Sequence, residues 1–244
     1  MPFRIPDLLI TPRLRGYARG KDGIEGVLKA ALAILVEEGY PALSFRRVAA
    51  RCGMSVGNVN YYFRTKDDLV RELLDAVISS YEVSFINIMR EPGATPEQRL
   101  EKIVTLILED IGTRKTTCFF PELWALSNHD PAVFKRMHEL YQRARVVLNE
   151  IIAEVNPELP EVERETLALF MSASMEGMTM FAGHEKPFRP QISLIEALAC
   201  RSFVYLVRHL KPGEISAWQR APAPLTPAAR VEPPVPSLPP GDIS

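Results

Sequence analysis

Apolar positions recur with helical spacing along most of this chain. In residues 23–41, "GIEGVLKAALAILVEEGYP", Ile24, Val27, Leu28, Ala31, Leu32 and Leu35 share one face, and the run stops at Gly39 before Pro41. Ser44 can cap a short second helix with an inner face of Phe45, Val48, Ala49 and Cys52, ended by Gly53. Ser55 can cap a third helix, to about Phe63. Thr65-Lys66-Asp67-Asp68 has capping-box spacing and opens a fourth through Leu69, Leu73, Leu74, Val77 and Ile78. Thr95-Pro96-Glu97-Gln98 starts another helix, to about Gly112. Further helices are predicted over 119–127 despite Pro121, from Asp130-Pro131 to about Val155, from Pro160 to Gly183, and over 190–210. No run alternates with period two. The predicted fold is all-α.

With 244 residues, 47% of them hydrophobic, the chain can bury a real core and reads as two domains. The pattern divides it into a basic N-terminal arm (1–19), a compact head (20–80), a larger helical body (81–211) and a tail (212–244). Nine of the tail's thirty-three residues are proline and few are large and apolar, so it is expected to be disordered. The net charge of −1 hides an asymmetry. Residues 1–72 carry twelve Lys/Arg against eight Asp/Glu, and the remainder seventeen against twenty-two, which gives +4 and −5. A basic head on an acidic body hints at a polyanionic partner. Cys52, Cys118 and Cys200 are odd in number and widely spaced among apolar neighbours, which reads as buried reduced thiols rather than a disulfide framework or zinc site. No apolar run approaches the eighteen or so residues of a membrane span, and the N-terminus lacks a signal-peptide pattern. The expected location is the cytoplasm, with no membrane partner.

The stretch Ala49–Leu69, "AARCGMSVGNVNYYFRTKDDL", joins two short helices through "CGMS", as a helix-turn-helix does. Val59 would plug the third helix into the core, leaving Val56, Gly57, Asn58, Asn60, Tyr61 and part of Tyr62 outside. Asn can pair bidentately with adenine, and tyrosine hydroxyls and backbone amides bind phosphate. Gly57 would allow close approach to a backbone. Lys66 sits at the next helix's N-terminus, and Arg46, Arg47, Arg51, Arg64, Arg13, Arg15, Arg19 and Lys21 surround the unit.

Residues 23–74 resemble the DNA-binding domain of TetR-type transcriptional regulators. The match rests on the first helix ending in Gly39, on "SFRRVAARCGMSVGNVNYYF" and on "RTKDDLVREL". Asn60 stands where the family often has tyrosine. The resemblance implies a DNA-binding set of Arg46, Ser55, Val56, Gly57, Asn58, Asn60, Tyr61, Tyr62 and Lys66. It also implies a homodimer on a palindromic double-stranded operator, with a small-molecule effector in the body. Dimerisation through the last two helices would use Ala173 and Gly177, four apart on one face, and likewise Ala197 and Arg201.

No enzyme constellation is present in the sequence. His129, His138, His184 and His209 make no HExxH pattern, Cys118 lacks the setting of a nucleophile, and no glycine-rich phosphate loop occurs. No metal or cofactor is expected. In the body, Phe119, Phe120, Trp124, Met171, Met175, Met178 and Phe181 offer deformable apolar walls for a lipophilic ligand, and ordinary core is the alternative. Glu122 and Glu176 are the carboxylates in these stretches, able to hold a cation beside aromatic faces. The candidate ligand set is Phe120, Glu122, Trp124, Met171, Met175, Glu176 and Met178, a neighbourhood similar to that of choline-responsive members of the family. The reading is a repressor released by a largely apolar effector. The competing one is a ligand-binding helical protein or enzyme whose head serves only for interactions.

Overall fold

The computed structural model describes residues 5, 8, 9 and 18–218, with backbone only for 18–21. The described residues contain helices and no strand. Helices α1 (Ala18–Glu38), α2 (Phe45–Cys52), α3 (Val56–Tyr62) and the first half of α4 (Lys66–Met89) form the head, with a 3₁₀ turn at Tyr40–Ala42. The body is built from the rest of α4 with α5 (Pro96–Ile111), α6 (Arg114–Ser127), α7 (Pro131–Val155), α8 (Glu161–Ala182) and α9 (Ile192–His209). A short α10 (Glu214–Ala217) follows.

The caps explain these boundaries. Ser44 accepts from the amide of Arg47 and Ser55 from that of Asn58. Reciprocal capping boxes join Thr65 with Asp68 and Thr95 with Gln98, and Asp130 accepts from Ala132 and Val133. Each satisfies amide groups that a helix start otherwise leaves open. Helix α6 begins at Arg114, five residues before the expected 119, because Thr113 caps it by accepting from Thr116. Pro121 lies inside that helix.

Three expected boundaries differ. The head–body division at residue 80 falls within α4, which runs unbroken from Lys66 to Met89 and serves both domains. Helix α1 starts at Ala18, inside the expected arm; of residues 1–17 the described ones are Ile5, Leu8 and Leu9, and Arg13 and Arg15 lie outside the described residues. The tail is also shorter than expected. Glu163, 2% exposed, accepts from the amide of Gly213 at 2.9 Å and that of Ser216 at 3.3 Å, so α10 is docked on the start of α8. A buried carboxylate needs such donors, and the α10 N-terminus supplies them. Residues 219–244 lie outside the described residues.

Val59, the one buried residue of α3, fixes that helix against α2, and burial of one such side chain contributes roughly 1.5–3 kcal/mol. Helix α5 runs through the body, packed on α7, α8 and α9. Helix α7 lies parallel to α4, since Asp75 meets Arg136 and, seven residues on, Glu82 meets Arg143. Helix α6 packs on α1 as well as on α7 and so touches both domains.

Candidate nucleic-acid interface and effector cavity

The exposed face of the head is the face the helix-turn-helix pattern predicts. Val56, Gly57, Asn58 and Asn60 are exposed, and Tyr61 is 85% exposed. A Cβ on Gly57 would meet nothing nearer than the Ser55 hydroxyl at 3.7 Å, so no packing inside the chain demands glycine there. Arg46 is exposed on α2, while Arg47 and Arg51 pair with Glu38 and Glu37 at the end of α1. The Ser55 hydroxyl is engaged as the cap of α3. Tyr62 is half-buried, and its hydroxyl occupies the space a Cβ on Gly23 would need, at 2.3 Å. It is packed on α1 more than it is presented outward.

Lys66 is held by the protein itself. Its Nζ donates to the carbonyl oxygen of Tyr40 at 3.2 Å and lies over the Tyr40 ring, 3.6 Å from the centroid. Burial lowers its pKa from the ordinary lysine value, and Asp67 opposes that. The turn that carries Tyr40 follows Gly39, whose φ of 79° is one that L side chains rarely adopt. On the other side of Tyr40, its backbone N–H donates to Oε2 of Glu122 at 2.9 Å. Glu122, expected from its place in an apolar stretch to be a ligand residue, therefore does not line the body cavity. It faces the head from α6 and closes the head–body junction.

The body encloses a cavity of about 30 Å³, room for one or two water-sized groups. Of the candidate ligand residues, Phe120, Met175 and Glu176 line it. Met171 is fully buried in solid core, and Met178 packs against the core from a half-buried position away from the cavity. Trp124 stands one layer behind. Its ring tilts against Phe120, and its indole N–H donates to the hydroxyl of Tyr141 at 2.8 Å. The aromatic wall that sequence reasoning missed is Tyr81, Phe85 and Tyr141. The signal for it was the i, i+4 pair Tyr81/Phe85 on α4, hidden by the domain division at residue 80.

Two carboxylates border the cavity, in different states. Asp110 accepts from Tyr81 at 2.5 Å and Thr116 at 2.6 Å, with Lys115 at 3.3 Å, so its charge is well compensated. Glu176 has one long bond, from the Tyr141 hydroxyl at 3.4 Å. Burial, first, and then Asp110 push its pKa up to about 7, against the pull of that bond. The Tyr81 and Tyr141 hydroxyls are pushed well above their ordinary value, chiefly by burial. No group of three or more metal-ligating side chains is found among the described residues.

The outer surfaces of α8 and α9 carry an apolar face. Leu169, Phe170, Ala173, Gly177, Met180 and Phe181 are exposed along α8, with open space around Gly177. On α9, Leu194, Leu198, Arg201 and Tyr205 recur every three or four residues on the exposed side, with Ala197 exposed beside Leu198. By length and composition, Arg189–His209 could cross a membrane, which departs from the expectation from sequence. Its inner face argues otherwise. Phe203 and Val207 are buried, Glu196 bonds Thr105, and Arg208 pairs with Glu97, so α9 is stitched to α5 along its length. The three cysteines are half-buried rather than fully buried, and none is disulfide-bonded.

Comparison with known proteins agrees with this division. Residues 27–73 match the bacterial regulatory proteins of the tetR family, and residues 96–215 match the BetI-type transcriptional repressor C-terminal domain. The HTH-type transcriptional regulator BetI of Escherichia coli is 24% identical over 158 residues, 64% of this chain and 80% of that protein. Among solved structures, a TetR-family regulator from Mesorhizobium loti has a TM-score of 0.65 at 14% identity, over 78% of this chain and 98% of that one. A transcriptional regulator from Saccharomonospora viridis in complex with choline has a TM-score of 0.61 at 17% identity, over 78% and 97%.

Proposed function

Because the chain belongs to the TetR family of bacterial transcriptional regulators, we propose that this DNA-binding repressor acts as a homodimer whose effector is an organic cation. The relatives reported above are regulators, and the enzyme reading is set aside. The observation that carries the ligand class is Glu176, a half-buried carboxylate with one long hydrogen bond, which lines the cavity together with Tyr81, Phe85, Phe120 and Tyr141. Asp110 already has three partners, so Glu176 is the anion with interactions to offer. A quaternary ammonium donates no hydrogen bond and is stabilised by aromatic faces together with one negative charge. The choline bound to the S. viridis regulator belongs to that chemical class. At about 30 Å³ the cavity is narrower than such a ligand, so entry requires Met175 and the rings to move apart.

Two heads joined through the outer faces of α8 and α9 would present a pair of α3 helices to successive major grooves, about 34 Å apart on a palindromic operator. Asn58 and Asn60 would read bases, while Arg46, Lys66 and Tyr61 would bind phosphates. Ligand binding favours a head spacing that no longer fits, as population-shift linkage requires. A protein acting on chromosomal DNA works in the cytoplasm. The test is an electrophoretic shift with DNA flanking its own gene, titrated with choline. The reading predicts a retarded complex that choline dissolves and an equally sized neutral alcohol leaves intact. Release by both compounds, or by neither, would overturn the cation assignment.

A further inference from the structure

Helix α6 carries the cavity on one face and the head on another. Phe120 lines the cavity, and Trp124 reaches Glu176 through the Tyr141 hydroxyl. Two residues before Trp124, Glu122 accepts the Tyr40 amide at 2.9 Å. The same Tyr40 offers its carbonyl and ring to the Lys66 ammonium. Gly39 fits this arrangement closely: a Cβ there would lie 3.2 Å from Oε1 of Glu122, so a larger residue would push the carboxylate off the turn.

We infer that Glu122, acting through Tyr40, is a positioning residue for Lys66 and so sets the DNA affinity of the head from within the body. The inference rests on the proposed role of Lys66 as a phosphate contact. An ammonium has three donors. With one spent on the Tyr40 carbonyl and its charge seated on the ring, the other two remain to meet a phosphate at the start of α4, where the ammonium also offsets Asp67. A free lysine side chain would have to be ordered at the moment of binding, and a held one is already in place. The turn at Tyr40 has no buried residue and no side-chain cap of its own, and its other fixings are the packing of Tyr40 and Ala42 on the core and two backbone bonds within the turn. Glu122 is its polar tether to the body.

The test is a double-mutant cycle on DNA affinity in the full-length protein, at a temperature well below melting. Glu122→Ala should weaken binding about fivefold, equally on operator and unrelated duplexes, because a phosphate contact carries no sequence information. Glu122→Gln keeps an oxygen for the Tyr40 amide and should restore wild-type affinity. In a Lys66→Ala background, Glu122→Ala should have no further effect. A purely structural role for Glu122 would lower the melting temperature and leave affinity untouched. That result would overturn the inference, as would a Glu122→Ala loss that persists undiminished without Lys66. If Lys66→Ala itself changes neither affinity nor its salt dependence, the phosphate assignment fails and the inference falls with it. Should Glu122→Ala prove unstable, Glu122→Asp, too short to reach Tyr40, takes its place in the same cycle.

Discussion

A cation that needs the ionised form of Glu176 should bind with an affinity that follows pH. Burial holds this carboxyl at about 7, so at pH 6 about one-tenth of the empty sites are ionised and at pH 8 about nine-tenths. Apparent affinity scales with the competent fraction, which predicts about a tenfold tighter Kd at pH 8 than at pH 6. Near neutrality each binding event releases a fraction of a proton, because the incoming charge draws the pKa down. The tyrosines beside it, Tyr81 and Tyr141, are held well above this window by burial. Ligand-free stability should move the opposite way. The native state keeps the Glu176 proton between the ordinary 4.5 and about 7, where the unfolded chain has lost it. Stability from this group is therefore fully present below 4.5 and lost as pH rises to about 7, by about 3 kcal/mol. Glu176→Gln should abolish both slopes, melt higher than wild type at pH 8 and bind choline poorly at every pH. Isothermal titration calorimetry with choline at pH 6, 7 and 8, in buffers of different ionisation enthalpy, measures affinity and proton release together. Wild-type affinity independent of pH, or a slope retained in Glu176→Gln, would refute the reasoning.

Shortening the chain after Trp218 should leave melting temperature and oligomeric state unchanged, while shortening it after Leu210 strips Glu163 of its donors and should cost on the order of 1–3 kcal/mol by thermal melting. Equal behaviour of the two would mean that α10 contributes nothing. Gly177→Arg places a long cation where the glycine now faces open space, and sedimentation should show monomers with operator binding lost; a normal dimer would move the interface elsewhere. Asn58→Ala and Asn60→Ala should each relax preference at particular base pairs by roughly 1–3 kcal/mol, whereas Arg46→Ala should weaken all duplexes alike and flatten the salt dependence. A uniform loss in all three variants would remove the asparagines from base reading.

The head was legible in the sequence because its signals are local. A Ser or Thr cap three residues before the amide it satisfies, and a glycine ending a helix, are written within one or two turns of chain. Val59 could be placed inside because it is the apolar residue at the middle of its short helix, whereas Val56 stands at the capped start. The body was legible as helices but not as a cavity. Glu122 and Glu176 look alike in sequence, each a carboxylate in an apolar stretch, yet α6 is covered on two sides. The pattern does not say which cover is the head. Tyr141 and Tyr81 were missed because a site assembled from α4, α7 and α8 depends on how helices lean together over distances no periodicity encodes. Met171 and Met175 share a helix face, and one turn of depth separates a packed side chain from a cavity wall.

Helix α4 has no break between Lys66 at its start and Phe85 on the cavity wall. Nineteen residues at 1.5 Å each make a rod of roughly 28 Å. Nothing along it can absorb a tilt, and its parallel partner α7 is pinned to it at Asp75 and Glu82. A rotation of about 5° at the cavity end would swing the far end through about 2.5 Å, and two such arms in a dimer would change the gap between heads by up to about 5 Å. Set against a groove spacing of about 34 Å, that mismatch exceeds the length of a hydrogen bond. A ligand too small to span the body could thus be felt at the DNA through leverage alone.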